Sequence, residues 1–263
     1  MKRVLITGAN SYIGTSFSNW LAKEPDKYYI DTVDMKSEAW KRKDFSMYDV
    51  VFHVAGIAHI KENKENAPLY YKVNRDLVYE VAKKSKNDGV KQFIFLSSMS
   101  VYGIETGVIS KETVPDPKSN YGKSKLQAEE LILSLQDSAF SIAVLRPPMI
   151  YGEGCKGNYV RLEKFALKSP VFPSIKNKRS MIYIDNLCEF VKRIISDESR
   201  GIFLPQNDEY VCTSDMVKEI AEAHGKKIHM TKLFNPLLRI LKVSTVNKVF
   251  GDLVYEKENS GMK

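Results

Sequence analysis

Residues 4–14, VLITGANSYIG, limit what this chain can fold into more than any other segment. An apolar run that reads as a β-strand stops at Gly8, and Gly14 stands where helical periodicity opens over residues 13–23. A turn this abrupt needs a residue free to take positive φ, and close approach of a diphosphate needs one without a Cβ. The helix that follows offers its free N–H groups and the positive end of its dipole to the anion. In the dinucleotide-binding pattern a carboxylate follows about twenty residues later and accepts the ribose hydroxyls. Asp34, at the end of YYIDTVD, meets that spacing counted from Gly14, with Asp31 as the alternative. An acid there repels a 2′-phosphate and favours NAD over NADP, a preference that Lys36 and the cluster Lys41, Arg42, Lys43 moderate. A triphosphate P-loop is ruled out, because no GK[ST] follows the first strand and GKS at 122–124 lacks both a preceding strand and the upstream glycine.

Further strand-like runs are YYIDTVD, DVVFHVA, KQFIFLSS and FSIAVLRPP, with helical stretches at 68–87 and 122–137 between them. This is the βαβ rhythm of a parallel sheet covered on both faces. It predicts an α/β fold, a doubly wound parallel sheet of the Rossmann type over residues 1–147. After Pro147 the texture changes to proline- and glycine-bearing segments, short strands and helices at 158–168, 185–196, 214–224 and 235–242. Residues 148–263 are therefore expected to form a small C-terminal substrate-binding lobe, with some elements returning to the first domain. A chain of 263 residues with 43% hydrophobic content can bury one large core with a satellite.

Composition narrows the function classes. No apolar run reaches the roughly 18 residues that cross a bilayer. Gly8 interrupts the first apolar run too early for a secretory leader, so a cytoplasmic location is expected. Cys155, Cys188 and Cys212 are widely spaced without a CxxC, and His53, His59, His224 and His229 stand apart from acidic or cysteine clusters. Reduced thiols and no metal are the expectation. A net charge of +8 attracts polyphosphates, but the lysine clusters lack the interleaved aromatics of a single-strand platform, which argues for a small anionic substrate and against nucleic acid. The apolar, basic stretch 232–256 has the composition of a membrane-surface helix, yet Pro236 and the strand-like DLVYE favour packing on the lobe without membrane insertion; 257–263 should fray.

The second informative stretch is NYGKSKLQAEELI, residues 120–132. Tyr121 and Lys125, four apart, share a helix face if the helix begins near Tyr121. A phenol with its ordinary pKa near 10 is a poor base at neutral pH, and a neighbouring ammonium, aided by a cofactor's pyridinium charge, stabilises the phenolate. Tyr121 then suits exchange of a substrate hydroxyl proton, with Lys125 also anchoring the nicotinamide ribose. FIFLSSMSVYG supplies a second hydroxyl in Ser98, just past an apolar strand, with Ser97 and Ser100 beside it. Strand ends of parallel sheets are where ligands sit. Tyr102, Tyr151 and Tyr159 fall near the same region, where ordinary packing is the default.

Taken in order, TGANSYIG at 7–14, HVAG at 53–56, Asn74 in YKVNRDL, SSMSVYG at 97–103, YGKSK at 121–125 and RPPMIYGEG at 146–154 resemble the extended short-chain dehydrogenase/reductase superfamily, in its NAD-dependent epimerase/dehydratase branch. The resemblance covers nearly the whole chain. It implies a catalytic set of Ser98, Tyr121 and Lys125, with Asn74 in support. It implies cofactor contacts from Gly8, Asn10, Ser11, Tyr12, Ile13, Gly14, Asp34, Asp44, Ala55, Asn74, Tyr121 and Lys125. Substrate contacts would come from Ser98, Tyr121, Asn158 and Arg179, the last to a diphosphate. The expected cofactor is NAD, the substrate a nucleotide-diphosphate sugar, with UDP foremost, and the assembly a homodimer. The implied activity is oxidoreduction or epimerisation at a carbinol carbon, foremost C4; a 4-keto-sugar reductase and a silent cofactor-binding scaffold are the alternatives. Three departures stand out: Ser11 occupies the usual middle glycine, only nine residues separate Asp34 from Asp44, and Met99–Ser100 replaces the Asp-Glu pair that dehydratases need for β-elimination.

Overall fold

The computed structural model describes residues 1–58, 60, 62–155, 157–240 and 244–257, without the side chains of 237, 239, 240 and 245. His59 and the fraying expected over 258–263 lie outside the described residues, as does the end of the 235–242 helix.

The chain runs β1 (Lys2–Thr7), α1 (Tyr12–Leu21), β2 (Tyr28–Val33), a 3₁₀ turn (Glu38–Arg42) and β3 (Val50–His53). There follow α2 (Ala67–Tyr71), a π-helical turn (Lys72–Asp76), α3 (Leu77–Asn87), β4 (Gln92–Leu96), a 3₁₀ turn (Met99–Tyr102), β5 (Gly107–Ile109), α4 (Asn120–Leu133) and β6 (Ser141–Leu145). The second half carries β7 (Met149–Tyr151), α5 (Asn158–Lys168), β8 (Val171–Pro173), β9 (Met181–Tyr183), α6 (Ile184–Ser196), β10 (Gly201–Phe203), α7 (Thr213–Ala223), β11 (His229–Thr231), α8 (Asn235–Ile240), α9 (Ser244–Phe250) and β12 (Leu253–Tyr255). The main helices predicted from periodicity are present, and the one carrying Tyr121 starts at Asn120.

Six parallel strands form the central sheet in the order β2-β1-β3-β4-β6-β10. Alternation along each strand sends side chains to opposite faces. Val4 and Ile6 of β1 join Val50, Phe52, Ile94, Leu96, Ala143 and Leu145 in a core closed by Phe17 and Leu21 of α1 and by Leu187, Val191, Ile194 and Ile195 of α6. Leu5, with Val51, Phe93, Phe95, Ile142 and Val144, faces Val78 and Val81 of α3 and Ala128 and Ile132 of α4. The sheet is thus doubly covered, as the uninterrupted apolar strands require. The short span after β2 forms a 3₁₀ turn that drops Trp40, 2% exposed, into the second core, and β2 is left as the edge strand.

The elements after residue 147 divide between two places. Helix α6 and β10 join the central sheet, whereas α5, β8, α7 and β11 surround a separate core containing Ala166, Phe172, Met216, Val217 and Ile220. Within the 232–256 stretch, α9 packs on that lobe through Val249 and Phe250, and β12 pairs with β5. No helix among the described residues is long and apolar enough to cross a membrane.

Candidate active site

Chain order reverses at β1, whose neighbours are β2 on one side and β3 on the other, so the switch point at which such sheets place their ligand crevice lies between the carboxyl ends of β1 and β3. Gly8 stands at that point with φ +86°, and a Cβ there would lie 3.0 Å from Ala55 Cα and N. The turn and the close approach to β3 both demand glycine. Asn10 takes φ +66°, a conformation asparagine tolerates. Ser11, standing for the usual glycine, is the N-cap of α1: its Oγ accepts from Gly14 N at 3.1 Å, so the hydroxyl is folded into the first turn of the helix. Ile13 and Tyr12 pack on the core beneath α1, and burial, the largest cause, raises the Tyr12 phenol above its ordinary value.

Gly8 N and Ala9 N donate to Val33 O at 2.9 and 3.2 Å, which sets the loop beside the end of β2 and the exposed Asp34. One Asp34 oxygen accepts from Lys36 N at 2.9 Å. Asp31 is engaged elsewhere: its carboxylate accepts from Lys43 Nζ at 2.7 Å and Tyr48 OH at 2.5 Å, which pins the strand to the segment before β3. Lys41 pairs with Glu38 at 2.6 Å and Glu80 at 3.2 Å. Two of the cations that moderated the NAD preference are therefore already neutralised. Asp44 is exposed in a turn where it accepts from Ser46 N at 2.8 Å; the Ser46 hydroxyl first, and that amide next, hold its carboxyl below the usual range. A loop that a Cβ would fill, a helix N-terminus and an exposed acid at the neighbouring strand end fit a dinucleotide.

The chemical candidates meet past the end of β4. Ser97 turns inward and donates to the buried Glu129. Ser98 starts the 3₁₀ turn, its Oγ accepting from Ser100 N at 3.1 Å, and its hydroxyl acts on the Tyr121 phenol, pulling its pKa down. Gly122 allows this meeting, because a Cβ there would lie 2.6 Å from Ser100 O and push α4 away from the turn. Lys125 is 5% exposed; it donates to Leu96 O at 2.7 Å and lies over the Phe95 ring at 4.6 Å. Asn74 is fully buried in the π-helical turn, a distortion frequent at functional sites. Its side chain clamps Ile57, accepting from the amide at 2.8 Å and donating to the carbonyl at 3.0 Å. His53 is a core residue with Nδ1 2.9 Å from Thr7 Oγ1, and burial holds its ring neutral by lowering its pKa to about 3.

The electrostatics differ from the sequence expectation. Burial raises the Tyr121 phenol above its ordinary value, with the Ser98 hydroxyl pulling it down and Tyr70 pushing it up. Burial also lowers the Lys125 ammonium to about 7, against an upward pull from Glu129. The lysine is anchored on a strand carbonyl, so burial governs both groups. An unfolded lysine stays protonated to about 10.5, so the folded state binds fewer protons between about 7 and 10.5 and stability rises with pH across that window. The cost of the buried cation is fully present below about 7. Relative to Lys125→Met, the cofactor-free wild type should gain up to about 1.4 kcal/mol per pH unit above neutrality. Denaturant unfolding of both proteins at several pH values measures this; a pH-independent difference would return Lys125 to an ordinary pKa.

Asn158 is the exposed first residue of α5, after Gly157 at φ +91°. Arg179 precedes β9 and donates through Nη1 to Gly251 O at 2.9 Å and Asn247 O at 3.4 Å; burial lowers its pKa. Both belong to the second lobe, apart from the Ser98–Tyr121 pair. Tyr151 and Tyr159 stack on each other at 5.8 Å, and Tyr102 OH accepts from Arg146 Nη1 at 2.9 Å. Sequence reasoning missed Glu129 and Arg146, a buried pair at 2.6 Å next to Ser97 and Lys125. The four-residue stride from Tyr121 through Lys125 to Glu129 was the available signal. It also missed Glu62, which accepts from the first amides of α4.

A doubly wound sheet with a glycine loop at its switch point and a Ser/Tyr/Lys set at the strand ends defines a short-chain dehydrogenase/reductase. The family model "NAD dependent epimerase/dehydratase family" matches residues 4–204. The chain belongs to that family, whose members are NAD-dependent enzymes. It is 31% identical over an alignment of 299 positions to a UDP-glucose 4-epimerase of Vibrio cholerae, covering 100% of this chain and 90% of the relative. It is 28% identical over 253 aligned residues to the N-acetyl-alpha-D-glucosaminyl-diphospho-ditrans,octacis-undecaprenol 4-epimerase of Escherichia coli O157:H7, covering 89% of this chain and 76% of the relative. In fold it resembles the UDP-glucuronic acid 4-epimerase of Bacillus cereus in complex with NAD, with TM-score 0.75 at 20% identity over 96% of this chain and 88% of the other. A dTDP-4-dehydrorhamnose reductase from Clostridium acetobutylicum gives 0.69 at 20% identity, over 87% and 82%.

Proposed function

We propose that the protein is an NAD-dependent 4-epimerase of a nucleotide-diphosphate sugar, with UDP as the nucleotide. The Ser98 and Tyr121 hydroxyls, with Lys125 one helical turn beyond the tyrosine, carry this reading, because proton exchange at a carbinol needs such a pair and Gly8 lies at the same end of the sheet. Bound NAD would supply reversible hydride transfer at the carbinol carbon. Tyr121 takes the hydroxyl proton of that carbon as the ketone forms and gives it back after the sugar has presented its other face. Ser98 holds the oxygen, and the Lys125 ammonium favours the phenolate while reaching the nicotinamide ribose. The 8–14 loop receives the cofactor diphosphate, Asp34 the ribose hydroxyls and Asp44 the adenine side; Ala55 and Asn74 shape the wall. In the lobe after residue 147, Asn158 and the free edge of Arg179 meet the substrate diphosphate. The similarity to the Vibrio cholerae enzyme supports both UDP and C4. The free thiols of Cys155, Cys188 and Cys212 suit the cytoplasm, where both substrate and cofactor are found.

The test is incubation with UDP- and dTDP-sugars and with a polyprenyl-diphosphate sugar, each with and without added NADH or NADPH, following products and cofactor absorbance. The expected result is inversion at C4 of a UDP-sugar without net cofactor use. Stoichiometric consumption of NAD(P)H on a 4-keto-sugar would make it a reductase, and turnover of only the lipid-linked sugar would change the substrate class. Inactivity across the panel, with NAD bound, would point to the silent scaffold.

A further inference from the structure

We propose that Glu62 is a positioning residue for Tyr121, holding the first turn of α4 from a distant loop and so fixing the backbone from which the phenol projects. The role rests on the epimerase reading only in that Tyr121 is the proton-exchanging group. Glu62 Oε1 accepts from Tyr121 N at 3.0 Å, and Oε2 accepts from Asn120 N at 3.1 Å and Asn120 Nδ2 at 3.2 Å. The local cap, Ser119, takes the next amide, Gly122 N, at 3.0 Å. A helix start leaves its first amides unpaired, and one serine satisfies only one of them. Glu62 supplies the remainder, and its charge complements the positive end of the helix dipole.

The loop that carries Glu62 is tied at both ends to the site. Asn74 clamps Ile57 on the β3 side, Tyr70 OH donates to Ile60 O at 2.8 Å, and Tyr71 OH donates to Asn120 Oδ1 at 3.1 Å. Asn63 and Asn66 exchange amide-to-side-chain bonds at 3.0 and 2.8 Å, which stiffens the turn after Glu62. The Tyr70 ring meets the Tyr121 ring edge-on at 6.4 Å. The loop therefore links the crevice wall at β3 to the helix that carries the phenol, and the carboxylate is its hold on the backbone of Tyr121 itself. A shift of that backbone moves the phenol away from Ser98, and small misplacements of a reacting group cost rate steeply.

The experiment compares Glu62→Ala and Glu62→Gln with the full-length wild type, by amide hydrogen exchange and by steady-state kinetics on the UDP-sugar that the panel identifies. Exchange at Asn120 and Tyr121 should speed up about tenfold or more in the alanine variant, with β1 and β4 amides unchanged as evidence of an intact fold. Turnover should fall about tenfold with KM within about twofold, and glutamine, which keeps an acceptor oxygen, should recover part of both losses. Wild-type protection at Asn120 and Tyr121 in the alanine variant overturns the proposal, as does lost protection with unchanged turnover. An equal loss of protection in glutamine and alanine overturns the hydrogen-bonding role. If the wild type is inert on every sugar but the exchange pattern is as expected, the epimerase reading fails and the hold on α4 stands.

Discussion

Replacing Tyr121 with phenylalanine should lower turnover about 100-fold or more while NAD affinity stays within a few-fold of wild type. The substitution removes one oxygen. The ring still meets Tyr70 edge-on at 6.4 Å, and Ser98 keeps its bond from Ser100 N at 3.1 Å, so neither the helix start nor the 3₁₀ turn loses its support. What is lost is the group assigned to exchange the carbinol proton. The other contacts assigned to the cofactor remain, with Lys125 still anchored on Leu96 O at 2.7 Å. The phenol starts above its ordinary value in the cofactor-free protein, so on the proposed reading the drive to ionise would come from the Lys125 ammonium and the ring charge of oxidised NAD. Steady-state kinetics on the identified sugar, together with titration of NADH binding, check the prediction. Unchanged turnover would remove Tyr121 from the chemistry, and lost NADH affinity would make it a cofactor ligand first.

The sheet was legible because strands buried on both faces cannot alternate with polar residues: QFIFL and SIAVL read as solid apolar runs, and the helices between them carry a stripe. The glycine loop was legible for a local reason, since the conformational demand on Gly8 falls on one residue. The same locality explains the serine in that loop, whose cap is made within its own helix turn. Long-range partners were hidden. Spacing favoured Asp34 over Asp31 on paper, but only the arrival of Lys43 and Tyr48 shows that Asp31 is already engaged. Among three neighbouring serines, Ser97 faces Glu129 and Ser98 faces Tyr121, a division set by the strand end and the turn after it. Glu62 sits in the polar run KENKEN, where periodicity has nothing to report, and its partners lie 58 and 59 residues away. The three-residue strands of the second half are too short for any alternation to register.

Glu129→Gln should destabilise the protein by about 3–5 kcal/mol, because it leaves Arg146 as a buried cation without a counter-charge. Glu129 is 1% exposed and Arg146 6%. The guanidinium donates to the carboxylate through Nη2 at 2.6 Å and Nε at 3.1 Å, and through Nη1 to Tyr102 OH, so the pair is held in a forked geometry with little freedom to find water. An arginine cannot shed its proton to escape the mismatch. Replacing both residues, as in Glu129→Leu with Arg146→Met, removes both desolvation costs and should lose much less than the sum of the single changes. Denaturant unfolding of wild type, the two single variants and the double variant gives the coupling directly, and additive losses would show that the pair is not acting as a unit. A kinetic consequence separates this pair from mere scaffolding. Glu129 raises the Lys125 ammonium against the pull of burial, so without its charge Lys125 should lose its proton at still lower pH. Turnover of the folded Glu129→Gln protein at neutral pH should fall further than its folded fraction explains. If it does not, Glu129 supports the fold alone.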